Sequence, residues 1–225
     1  MIQFLVRTFV RNAEETHLES VRLQVGRLGG FVGIVVNLLL FATKLTVGLL
    51  FGSIAVTGDA INNLSDAGSS IVSLISFRMS GKPADKDHPF GHARMEYIAS
   101  SFIAFLILIL GVELGKASIN KILQPEAAAF SLITLGVLLF SILAKLWLYR
   151  FNNTLGKSIR SSVMQATATD SLSDVLATSA VFLSMILGQL FSLSLDGWMG
   201  AAVSVFNQLA GLRIIRSEEH TSELQ

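Results

Sequence analysis

Six stretches of about 20 predominantly apolar residues run through this chain, and a helix of that length crosses a bilayer core about 30 Å thick. They fall near residues 31–51, 54–77, 97–116, 130–149, 162–187 and 195–215. Only 15% of the 225 residues are charged and the mean hydropathy is +0.62, whereas a soluble domain carries about 25% charged residues. In lipid, a spanning segment must satisfy its own backbone, so apolar runs of this length fold as helices. The expected class is therefore all-α, a polytopic membrane protein built as a six-helix bundle whose partner is the lipid bilayer. A formal net charge of +1 gives no footprint for nucleic acid. Cysteine is absent, so disulfides and thiolate metal sites are excluded.

The second and fifth stretches are the least apolar, and they hold acids where acids are expensive. Gly58-Asp59-Ala60-Ile61-Asn62-Asn63-Leu64-Ser65-Asp66 lies in one and Asp170-Ser171-Leu172-Ser173-Asp174 in the other. A charged side chain at mid-bilayer costs about 3 kcal/mol on insertion scales, which makes it a functional-site hypothesis by default. Asn62 with Asp66, and Asp170 with Asp174, are spaced i to i+4. On a helix this puts each pair on one face, about 6 Å apart between Cβ atoms. Two such faces turned toward each other would offer a cation four oxygen-bearing side chains.

The remaining polar residues bear on orientation. Residues 1–28 read as a cytoplasmic N-terminal arm, either an amphipathic surface helix or a solvated leader, with Arg7, Arg11, Arg22 and Arg27 among Glu14, Glu15 and Glu19. Arg78, Lys82, Lys86 and Arg94 follow the second span, and Lys145, Arg150, Lys157 and Arg160 are counted between the fourth and fifth. The opposite side has Lys116 and Lys121. The positive-inside rule then places both ends in the cytoplasm. Lys44 reads as the one basic residue deep in a span, either paired with an acid or snorkelling to an interface. Asp59 reads as either an ion guide or a cap. Asn37, Asn207 and Gln208 read as interhelical hydrogen-bonding residues, and Gly111, Gly115 and residues 197–200 as close-packing points.

Between the second and third spans, Lys82-Pro83-Ala84-Asp85-Lys86-Asp87-His88-Pro89-Phe90-Gly91-His92 gathers nitrogen and oxygen donors in one short segment. Asp85, His88 and His92 could hold zinc, or they could be a solvated, hydrogen-bonded loop.

With these three motifs in order, the chain resembles the cation diffusion facilitator family of divalent-metal exporters, in register over a domain at residues 29–215. The resemblance implies a homodimeric transporter, not an enzyme and without a prosthetic group, that exchanges cytoplasmic metal for protons by alternating access. It assigns the transport site to Asn62, Asp66, Asp170 and Asp174, and a second metal site to Asp85, His88 and His92. Zinc-selective members resemble one another in carrying histidine in the quartet, whereas the all-oxygen set here is similar to that of the manganese exporters. Imidazole suits zinc; carboxylate, carbonyl and water suit harder ions. The expected order is Mn²⁺, then Fe²⁺, then Zn²⁺. Three carboxylates together in a low-dielectric place would exchange metal for protons. Short loops suit a bacterial plasma membrane.

Two readings from other classes remain. An intramembrane aspartyl protease would carry Gly-x-Gly-Asp, but Val56-Thr57-Gly58-Asp59 lacks the first glycine. A non-transporting membrane subunit would match its buried acids with buried bases, for which Lys44 is the one candidate.

Family members continue into a soluble cytoplasmic domain, which is expected to be absent from this chain. Residues 216–225, Arg-Ser-Glu-Glu-His-Thr-Ser-Glu-Leu-Gln, match the conceptual translation of a widely used sequencing-library adapter. They read as a non-native tail and carry no fold argument. Resequencing the gene should replace this decapeptide with a different reading; a stop codon directly after a native Gln225 would refute that.

Overall fold

The computed structural model describes residues 2–10, 18–50, 54–81, 95–124, 132–191 and 196–223. The segment holding Asp85, His88 and His92 lies outside them, as do Glu14 and Glu15. A short helix α1 (Ile2–Phe9) precedes six long ones: α2 (Glu19–Leu50), α3 (Ile54–Ser80), α4 (Met95–Leu123), α5 (Leu132–Ser158), α6 (Ser162–Phe191) and α7 (Asp196–Glu223). The shortest of the six has 27 residues, or about 40 Å at 1.5 Å per residue, which exceeds a bilayer core. Among the described residues four helices, α2, α4, α5 and most of α6, are also apolar enough to cross a membrane unaided. The polar face of α3 and the Asn207, Gln208 and Arg213 side chains of α7 keep those two below that level.

Six long helices, α2 to α7, fall in order where the six spans are expected, four of them qualifying as spans by length and composition, and the largest difference in bounds lies at the start. The boundary expected at residue 28 falls inside α2, which begins at Glu19. Hydropathy reports only the lipid-matched part of a helix. Backbone hydrogen bonding continues past it wherever polar residues find partners, as Arg22 does.

The most extensive pairings are α2 on α3, α4 on α7 and α5 on α6. Small residues permit them, because helices in lipid gain little from apolar contact and associate by close packing. A Cβ at Gly33 of α2 would stand 2.6 Å from Ser70 Oγ on α3, and one at Gly111 of α4 would stand 2.6 Å from Gln208 Nε2 on α7. Hydrogen bonds reinforce both contacts, from Asn37 Nδ2 to Ser70 Oγ (3.4 Å) and from Gln208 Nε2 to the Leu108 carbonyl (2.8 Å). Asn37 and Gln208 thus join helices as expected.

A packed apolar core of Val25, Phe77, Ile103, Leu148, Phe151 and Met164 fills one end of the bundle. The outward faces are apolar too, with Leu39, Phe105, Phe140, Leu143 and Trp198 exposed. A continuous apolar exterior of this kind needs lipid around it.

Gly33→Leu should force α2 from α3 and cost about 1–3 kcal/mol. Gly136→Ala, where an added Cβ meets nothing within 4 Å, should leave the thermal midpoint of the detergent-solubilised protein unchanged. Equal midpoints for the two variants would contradict this packing.

Candidate metal site

The site is positioned by a corner. At the end of α5 the Ser161 amide donates to the Gly156 carbonyl (2.9 Å) and the Arg160 amide to that of Lys157 (3.4 Å). Arg160 between them is left-handed, with φ 49°, and together these make a Schellman motif, with arginine at a position that favours glycine. Ser161 then caps α6, its Oγ accepting from the Met164 amide at 3.4 Å. So tight a corner makes α5 and α6 an antiparallel hairpin. Residues at equal distances from the corner face one another. Lys145 lies 13 residues before Ser158, and Asp174 lies 12 after Ser162.

Lys145 therefore meets the acids at mid-depth. Its Nζ donates to Asp66 Oδ2 and to Asp174 Oδ2, each at 2.6 Å. Asn62 Nδ2 donates to Asp174 Oδ1 at 3.0 Å, linking α3 to α6. Both oxygens of Asp174 are engaged, and the Asn62 carbonyl oxygen remains the atom it can offer a cation. Asp170 is buried one turn before Asp174, and among the described residues no hydrogen bond or ion pair engages its carboxylate. Lys145 and Asp66 are almost fully buried, at 2% and 3% exposure, while Asp174 is at 14%. Burying these charges is costly, and they persist together only because each ammonium–carboxylate contact offsets lost hydration.

All four side chains of the expected quartet thus lie at one level of the bundle. Among the described residues, however, no three acidic or histidine side chains converge closely enough to hold a metal as they stand. Lys145 occupies the position between Asp66 and Asp174. The sequence reading counted this residue with the loop after the fourth span and left Lys44 as the one buried base; both points are corrected. Helix α5 runs Leu132–Ser158 and buries Lys145, which lies inside the apolar stretch at 130–149 rather than in the loop that follows it.

Lys44 is the second buried base. Its Nζ contacts Asp59 Oδ2 at 2.7 Å across the α2–α3 pair. Asp59 is thereby an ion-pair partner, and the Asn63 side chain donates to its carbonyl at 2.8 Å.

At the opposite end Arg22 makes a two-pronged contact with Glu96, Nη1 to Oε1 and Nη2 to Oε2, both at 2.8 Å. Ser161 Oγ donates to Glu96 Oε2 (3.1 Å), and Arg22 Nε donates to the Ile159 carbonyl (3.1 Å). One buried carboxylate ties α2, α4 and the α5–α6 corner together. Sequence reading missed it, because polar residues at helix ends resemble loops.

A bundle of long apolar helices enclosing an amide, three carboxylates and an ammonium is that of a polytopic membrane protein with a candidate cation site. Residues 30–218 match the cation efflux transmembrane domain family, and the chain belongs to that family. It is 34% identical over 74% of its length to the manganese efflux system protein MneS of Bacillus subtilis. It is 33% identical over 76% to MneP of the same organism, another manganese efflux system protein. With magnetosome protein MamB of Paramagnetospirillum magneticum it shares 28% identity over 79%. The matched region covers 58%, 57% and 60% of these relatives, so the chain spans less than two thirds of their length.

Arg22→Ala leaves the Glu96 carboxylate buried without its partner and should cost about 3–5 kcal/mol. Combining it with Glu96→Gln should recover part of that loss, and thermal unfolding of the single and double variants measures the coupling.

Proposed function

We propose that this chain is the membrane domain of a secondary transporter that exports divalent metal, Mn²⁺ in the first place, from the cytoplasm in exchange for protons. The observation that supports it most directly is the meeting of Asn62 and Asp66 on α3 with Asp174 on α6 around one buried ammonium, with Asp170 buried one turn away on α6. Oxygen donors alone suit a harder ion better than zinc. The relatives MneS and MneP, both manganese efflux system proteins, agree with manganese. Fe²⁺ ranks second and Zn²⁺ third. Three carboxylates facing one ammonium need further positive charge, which metal and protons can supply in turn. The proposal extends to a homodimer in the plasma membrane with both chain ends cytoplasmic, and to a second metal position at Asp85, His88 and His92.

One observation favours a second reading. Lys145 and Lys44 give the buried acids the matching bases expected of a non-transporting subunit, whose charges only tie helices together. Against it stand three buried acids near one ammonium, with no hydrogen bond or ion pair to Asp170 among the described residues.

Everted vesicles carrying the protein as its genomic sequence encodes it should accumulate Mn²⁺ ahead of Fe²⁺ and Zn²⁺, and a protonophore that collapses the acid interior should slow uptake. Asp66→Ala and Asp170→Ala should each reduce uptake to background. Preferential Zn²⁺ uptake would defeat the metal assignment alone. Uptake that persists in both variants would remove the site, and the absence of any metal uptake by the unsubstituted protein would favour the second reading.

A further inference from the structure

The ammonium of Lys145 has no part in the quartet just proposed, yet it holds two of its members. We propose that Lys145 is a tethered competitor for the transported cation: the ammonium and the metal exchange for the same carboxylate oxygens, and this exchange sets the site's affinity. The inference rests on the transport-site reading and specifies how that site is regulated from within the chain.

Geometry carries it. Asp66 Oδ2 and Asp174 Oδ2 both lie 2.6 Å from one nitrogen. A small divalent ion needs its oxygens nearer, at about 2.0–2.2 Å, and converging from several sides. The two occupants cannot share those oxygens, so metal binding requires the lysine side chain to withdraw and the acids to close inward. Four rotatable carbons allow that movement. Asp170 is buried close by without a hydrogen-bonding partner among the described residues, so an arriving cation has one carboxylate to meet before it displaces the ammonium from the other two. Ser141 lies one turn from Lys145 on the same face of α5, and its buried hydroxyl has no hydrogen-bond partner among the described residues. It is an acceptor within the bundle for the withdrawn ammonium.

Charge points the same way. Three carboxylates buried without any cation would repel one another and strain the bundle. A lysine that moves aside keeps two of them compensated whenever the metal has left. The corresponding penalty falls on affinity, since a site filled by its own side chain most of the time binds metal more weakly by the fraction of time it is free.

The test is direct Mn²⁺ binding by the full-length purified protein, read from loss of the free-Mn²⁺ electron paramagnetic resonance signal and independent of transport. Lys145→Met should lower the apparent Kd by about tenfold or more, if the competitor occupies the site about nine-tenths of the time. Because the chain has no cysteine, Lys145→Cys can be alkylated at that position alone. Aminoethylation, which rebuilds an ammonium at lysine's length, should return the Kd to the unsubstituted value, whereas methylation should leave it low. A purely structural lysine predicts the opposite, unchanged or weaker Mn²⁺ binding in Lys145→Met, and that result would overturn the proposal. If Lys145→Met fails to fold without metal, growth and purification in Mn²⁺ should restore it, and failure to do so also overturns the proposal. Asp66→Ala separates the two readings: loss of binding keeps the transport site whatever Lys145 does, while unchanged binding removes the site itself.

Discussion

The contact on which this bundle depends is one lysine ammonium between two aspartates from different helices. Desolvating any of the three alone costs several kcal/mol, so each is tolerable in the bundle only while the others are near. Lys145 on α5, Asp66 on α3 and Asp174 on α6 therefore fix the mutual register of three helices at mid-depth. Apolar contact alone contributes little to it, since lipid tails are as apolar as the side chains they would replace. Asn62 adds the orientation of Asp174, so the polar cluster sets both the register of the helices and the geometry of the candidate site.

The ends of the bundle are organised around that level in different ways. Toward the α5–α6 corner the interior is filled by Phe77, Leu148, Phe151 and Met164, and Trp147 stacks on Phe151 with ring centres 5.2 Å apart. Beyond this apolar layer, the Arg22–Glu96 pair joins α2 and α4 to the corner itself. Toward the α2–α3 end the interior holds the Lys44–Asp59 pair, and Asp59 is 27% exposed. Among the described residues, packed rings and an ion pair thus lie on the corner side of the central acids, and the Lys44–Asp59 pair lies on the other.

How far the sequence could be read depended on whether the signal was periodic or relational. The i to i+4 pairs were legible because helical geometry alone puts Asn62 above Asp66 and Asp170 above Asp174. The long apolar windows located α2 to α7 for the same reason. Lys145 was not legible that way, because its role depends on which residue it meets across a turn. A different rule would have found it: with a tight corner near residue 160, the position mirroring Asp174 is Lys145. The same mirror about the α2–α3 connection pairs Lys44, six residues before Leu50, with Asp59, five after Ile54. Glu96 escaped notice because its partners come from α2 and from the turn before α6, and no local pattern announces a contact that spans 74 residues.

The Lys44–Asp59 pair also bears on how such a chain enters a membrane. Helix α3, with its acids and serines, is not apolar enough to partition into lipid by itself. Its predecessor α2 is, and it brings Lys44 to the place where Asp59 arrives. An isolated α3 would carry each aspartate into the bilayer at a cost of about 3 kcal/mol on insertion scales, while a hairpin of α2 and α3 arrives with one of those charges already neutralised. The Lys44–Asp59 contact thus couples α3 to its more apolar neighbour α2, and loss of Lys44 would leave the Asp59 carboxylate without that partner.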